Sequence, residues 1–181
     1  MGPPTRSAIK PRCREAKNMN TKLISLSAVI AALYAALVII LAPISYGPVQ
    51  LRVADCLIPL SALFGLPAII GVTLGAFVSG WFLSPLDMVL GSVANLIASY
   101  IIFRFRNRVV AATMLASLVI GVIVGGYLWL FFPPPSILGL QLPFWLAMII
   151  SITLSSFIAV TVLGLTLLKV LSRSRYIKQL R

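Results

Sequence analysis

The sequence predicts an all-α integral membrane protein: a single bundle of six transmembrane helices with both termini on the cytoplasmic side. Three observations carry this expectation. Of the 181 residues, 60% are hydrophobic and only 10% charged, whereas a soluble domain is about 45–50% apolar and about 25% charged. Apolar runs of roughly 18 or more residues recur along most of the chain, long enough to face lipid. The 15 basic residues, against 3 acidic ones, gather in patches that flank those runs. The runs are continuously apolar and do not alternate with period two, which argues against a β-barrel.

Taken in order, residues 1–20 are polar, proline-containing and basic; they read as a disordered cytoplasmic tail. The first span is expected over 23–43, ending at Pro43. It is too long for the core of a secretory leader and lacks a small-x-small cleavage site, so it reads as a retained helix. The second, 51–64, is short, and Gly65-Leu66-Pro67 separates it from a third over 67–83. Joined, these two would run for about 33 residues, too long for one crossing of a core about 30 Å thick. A hairpin of two short helices is the better solution. The fourth span, 86–103, ends at "RFRNR"; the fifth, 109–132, is stopped by the three prolines 133–135; the sixth, 143–171, runs into a basic tail. The bundle domain is thus expected over 21–172, with 173–181 a second cytoplasmic tail.

Charge tests the count. Six spans with the N-terminus inside place fourteen of the fifteen basic residues in the cytoplasm and only Arg52 outside, as the positive-inside rule requires. Topology therefore accounts for the net charge of +12, and no nucleic-acid partner is expected. There is no histidine, the two cysteines stand far apart, and no GxxxxGK[ST] loop is present. These absences argue against an enzyme, a Cys/His metal site or ATP hydrolysis by this chain, and no cofactor is expected.

The remaining polar residues carry the chemistry. In "YGPVQLRVAD", residues 46–55, Arg52 and Asp55 are three apart at the start of the second helix and share a face. Either they form a local ion pair that caps this helix, or they point inward to a ligand. Tyr46 lies in the adjoining loop. Asp87 opens the fourth helix, as an N-cap or a ligand contact, and its face continues through Gly91 to Asn95, about two turns deeper. That polar face suggests a pocket, with Gly91 letting a flat ligand approach the backbone. Trp81, Trp129, Phe131, Phe132, Phe144 and Trp145 cluster near the outer boundary, as an interfacial belt or a stacking surface. On the first helix Ala28, Ala31, Ala32, Ala35 and Ala36 make one small-residue face, suited to packing within the bundle or to docking another subunit.

Two of these segments together resemble the queuosine-precursor transporter family, the substrate-binding S components of energy-coupling-factor vitamin transporters. Tyr46, Gly47, Pro48, Gln50 and Arg52 match a "YGPIQFRxSE"-like loop, with Asp55 in place of glutamate. Leu86, Asp87, Gly91 and Ala94 match an "LDxxFGxxAT"-like helix start, with Leu90 where phenylalanine is frequent and Asn95 where threonine stands. The resemblance is specific over about residues 27–100 and rests on span count elsewhere. It implies a six-helix S component in the plasma membrane that captures a 7-deazaguanine, a purine-like base, at its outer face. Its partners would be a scaffold membrane subunit and two cytoplasmic ATPases, docked on the alanine face. Asp55 or Asp87 would accept the donor edge of the base, with Gln50 or Asn95 on its carbonyl side and Tyr46 stacked on the ring. The other readings are an S component for another vitamin-like heterocycle and a membrane assembly protein that transports nothing.

Overall fold

The computed structural model describes residues 6–45, 52–82, 84–130 and 143–173. Among the described residues every regular element is helical. Helix α1 runs over Arg6–Ile40, and a short turn, Ala42–Ser45, follows it. The break comes at Leu41, two residues ahead of Pro43, because proline offers no N–H to continue the ladder. The backbone of residues 6–20 is helical and continuous with the span, where proline and charge content predict disorder; only Thr21–Ile40 is apolar enough to cross a membrane.

Helix α2, Val53–Phe64, and helix α3, Leu66–Trp81, are both apolar but short. Most of α2, Val53–Leu60, is a 3-10 helix with Pro59 inside it, a long run for that tight geometry. The turn to α3 is made at Gly65, with φ 67° and ψ −134°. L side chains rarely adopt this conformation, and a Cβ there would stand 3.2 Å from the ring of Phe103. The expected break at "GLP" thus has a definite cause. Helix α4 spans Asp87–Arg104, α5 Arg106–Leu128 and α6 Trp145–Arg173. Among the described residues these and Thr21–Ile40 are the four helices long and apolar enough to cross a membrane.

In space the neighbours run α1–α3–α4–α5–α6, and α2 lies inside against α1, α4 and α6. Ala54, Asp55, Leu57, Ile58, Pro59 and Leu60 of α2 are all buried. In lipid, helices gain from close approach more than from apolarity, so small residues mark the seams. A Cβ at Gly75 of α3 would meet the Ala31 carbonyl oxygen at 2.7 Å, and one at Gly121 of α5 would collide with Thr153 of α6. The stripe of α1 that faces inward is Ile30, Tyr34 and Val38. The alanine face therefore divides: Ala31 and Ala35 are half-buried beside it, while Ala28, Ala32 and Ala36 are exposed.

Candidate functional site

Besides α2, two helices depart from α geometry where the polar residues lie. The first five residues of α4, Asp87–Gly91, and the segment Phe157–Leu163 of α6 are π-helical. Such wide turns re-aim side chains and recur at functional sites. Below the second wide turn, Gly164 of α6 seats against Pro59 of α2. One turn above it, the Arg52 backbone N–H donates to Ser155 Oγ over 3.2 Å. The start of α2 is thereby held deep in the bundle, level with the middle of α6.

That anchoring brings Arg52 and both aspartates of the chain into one buried cluster. Arg52 Nε lies 3.5 Å from Asp55 Oδ2, and its Nη1 lies 3.6 Å from Asp87 Oδ1. The guanidinium thus bridges two carboxylates from different helices. Tyr34 Oη donates to Asp55 Oδ1 over 2.7 Å and accepts from Asn95 Nδ2 over 2.6 Å. Tyr127 Oη donates to Asp87 Oδ1. The network runs Asn95–Tyr34–Asp55–Arg52–Asp87–Tyr127 through α1, α2, α4 and α5. Its members are buried: Asp55 and Asn95 are fully enclosed, and Arg52 is only 7% exposed.

Both aspartates turn their carboxylates into this cluster. Neither one caps its helix: α2 begins without a side-chain cap bond, and at the start of α4 the cap is Ser84. The Asp87 N–H is instead met by Ser84 Oγ at 3.2 Å, which frees the carboxylate to turn inward. Arg52 and Asp55 do form the i, i+3 ion pair, but as a buried one shared with Asp87. Gly91 also has a packing role. A Cβ there would stand 3.0 Å from Asp87 Oδ1 and 3.4 Å from Tyr127 Oη, so the missing side chain makes room for this pair. Two buried acceptors of the cluster, Asp55 Oδ2 and Asn95 Oδ1, receive no hydrogen bond from the described residues. Buried polar atoms left so are costly and call for an explanation.

Of the residues the sequence singles out, Arg52, Asp55, Asp87, Gly91 and Asn95 converge. Tyr46 and Gln50 lie outside the described residues, as do Phe131 and Phe132 and the side chain of Phe144. Trp81, Trp129 and Trp145 are exposed at helix ends, as a belt requires. Tyr34, Tyr127 and Ser155 were not anticipated. A signal for Tyr34 was present: a hydroxyl in the middle of an apolar span needs a partner, and the chain offers few. Among the described residues there is no group of three or more His, Cys, Asp or Glu able to hold a metal ion.

No curated protein and no solved structure matches this chain. A family model described as QueT transporter matches residues 24–173, from the first apolar span through the last. That family comprises transporter S components and is not a family of enzymes. The chain belongs to the QueT transporter family, as a multi-pass transport protein of the plasma membrane.

Proposed function

We propose that the chain is the substrate-capture subunit for uptake of a queuosine precursor, a 7-deazaguanine-type base, by an energy-coupling-factor transporter. The observation that carries this reading is the convergence of Arg52, Asp55, Asp87 and Asn95 in one buried network. Ionisable groups inside a membrane are expensive and mark functional sites by default. A deazaguanine presents an N–H and an NH₂ side by side, and a carboxylate accepts such an edge with both oxygens. Asn95 Oδ1 accepts no hydrogen bond within the described residues, and Asp55 Oδ2 has only its ion pair with Arg52. Tyr46 and Gln50 complete the site in this proposal, as ring-stacking and polar contacts from the loop before Arg52.

The architecture that goes with it has six crossings, the two short helices α2 and α3 forming a hairpin among the four long ones. Both termini then lie in the cytoplasm with nearly all of the positive charge. Energy comes from elsewhere, since the chain has no phosphate loop: two cytoplasmic ATPases act through a scaffold membrane subunit. The scaffold meets α1 on Ala28, Ala32 and Ala36, flanked by Ala31 and Ala35.

Equilibrium binding to purified protein tests the proposal, with 7-deazaguanine precursors set against thiamine, riboflavin and biotin. A deazaguanine should bind and the others should not. Tight binding of a different heterocycle would make this an S component for that compound, and binding of none would end the capture reading. One observation favours a second reading: Tyr34 and Tyr127 already satisfy one oxygen of each aspartate, as a purely structural core would. In that case Asp55→Ala and Asp87→Ala destabilise the fold while leaving the affinity of any ligand unchanged.

A further inference from the structure

Helices α1 and α3 meet along the seam of Gly71 and Gly75, where a Cβ would run into the carbonyl oxygens of Ser27 and Ala31. Beside that seam, on the outer surface of the bundle, they leave a groove of about 420 Å³. Leu23, Ile24 and Ala28 of α1 line it, with Leu66, Ile70 and Leu74 of α3. The hydroxyl of Ser27, also in its wall, donates to the Leu23 carbonyl of its own helix over 3.0 Å, so the groove offers hydrocarbon alone. Leu66 to Leu74 covers about 12 Å at 1.5 Å per residue, close to half the depth of a hydrocarbon core about 30 Å thick. One acyl chain of one leaflet spans that length. A helix of the same length, about 10 Å across, fills roughly twice the volume of the groove.

One end of the groove is basic. The stripe of α1 that carries Ile24 and Ala28 runs back in two-turn steps to Lys17 and Lys10. Lys17 stands one turn ahead of Thr21, where the apolar span begins. On the side of α3, Gly65 precedes the first lining residue, and the Phe103 ring lies 3.2 Å from where a Cβ at Gly65 would stand. The exposed Arg106 guanidinium lies 5.8 Å from the centre of that ring. No acid offsets these charges at close range: Asp55 and Asp87 are in the buried cluster. Glu15, two residues from Lys17, falls on the opposite face of α1.

We infer that this groove holds one acyl chain of an anionic glycerophospholipid, whose phosphate sits at the basic end between Lys17 of α1 and Arg106 of α5. Apolar length places the chain, and charge complementarity selects the headgroup. Each basic residue near the membrane surface favours an anionic lipid by about fivefold, and a zwitterionic headgroup gains far less. Lysine reaches such a position by laying its methylenes along the apolar surface. The lipid belongs to the leaflet at this end of the bundle, the cytoplasmic one in the topology proposed above. It shares Ala28 with the face proposed for the scaffold subunit and stops a turn short of Ala32, so it borders that docking surface.

The test uses the purified full-length protein in detergent micelles that contain equal amounts of phosphatidylglycerol and phosphatidylcholine, with retained lipid counted by native mass spectrometry. One phosphatidylglycerol per chain should be retained, preferred by about tenfold or more. Lys17→Gln with Arg106→Gln should bring the two lipids within about threefold of each other. Lys169→Gln with Arg173→Gln, on α6 outside the groove, should change nothing. Ile70 is exposed in the groove, so Ile70→Trp fills it without entering the core and should abolish retention of either lipid. Equal retention of the two lipids by the wild type overturns the proposal. So does an equal loss of preference in the α6 pair, because the attraction is then one of net charge. Retention unchanged in Ile70→Trp also overturns it; if that variant has lost uptake as well, the groove belongs to the scaffold subunit.

Discussion

Tyr34 shows how much one hydroxyl does in this bundle. It donates to Asp55 and accepts from Asn95, joining α1 to α2 and α4 at a depth where water offers no substitute. Tyr34→Phe keeps the ring and leaves both partners short of a bond, so it should cost about 1–3 kcal/mol of stability. Thermal unfolding in one detergent measures this, and an unchanged midpoint would mean that the two partners find each other without the hydroxyl. Gly91 gives a contrasting test. A methyl there presses on Asp87 and Tyr127, whereas one at Gly126 meets nothing within 4 Å. Gly91→Ala should weaken ligand binding by about tenfold, the result of displacing a charged contact. Gly126→Ala should change stability by less than about 0.5 kcal/mol, as surface substitutions do. Equal effects at the two glycines would show that Asp87 takes no part in binding.

At the scale of elements, α1 has two working faces. Its inner stripe of Ile30, Tyr34 and Val38 is buried, and Gly75 of α3 lets the two helices close to backbone distance there. Gly75→Ala forces α1 from α3 and should cost about 1–3 kcal/mol, as overpacking does; because Tyr34 Cβ lies 2.8 Å from the new methyl position, ligand affinity should fall with it. The outer face behaves otherwise. Ala32 is exposed, so Ala32→Trp should leave folding and binding intact while abolishing uptake in cells that carry the partner subunits. Loss of binding in that variant would assign the face to packing within the bundle. The short helix α2 matters through its position: the 3-10 geometry and the seat of Gly164 against Pro59 set how deep Arg52 and Asp55 reach.

For the molecule as a whole, topology is the open question with a direct answer. In a variant with Cys13 and Cys56 replaced, a cysteine at Asn107, in the exposed 3-10 turn that opens α5, should react with an impermeant thiol reagent only after the cell is opened. A cysteine at Pro85, exposed before α4, should react in intact cells. The reverse pattern would invert the bundle and place the Arg52 cluster toward the cytoplasm.

The helical membrane class, the break at Gly65 and the residues Arg52, Asp55, Asp87 and Asn95 that meet in the cluster were legible in the sequence. Each depends on local chemistry: apolar length, a residue free to take positive φ, and charges too costly to leave in lipid without a purpose. Tyr127 and Ser155 were not legible in this way, and Tyr34 only as a hydroxyl in need of a partner, because a hydroxyl on an apolar helix does not say which group it meets. Of the two roles open to Asp87 in the sequence, the capping one is taken by Ser84, while Tyr127 and Arg52 meet the carboxylate. The sequence by itself determined that two acids and one base had to find each other inside a membrane. Only the tertiary structure decided that all three would share one cluster, because that depends on how deep α2 is seated and on the wide turn that aims Asp87 inward.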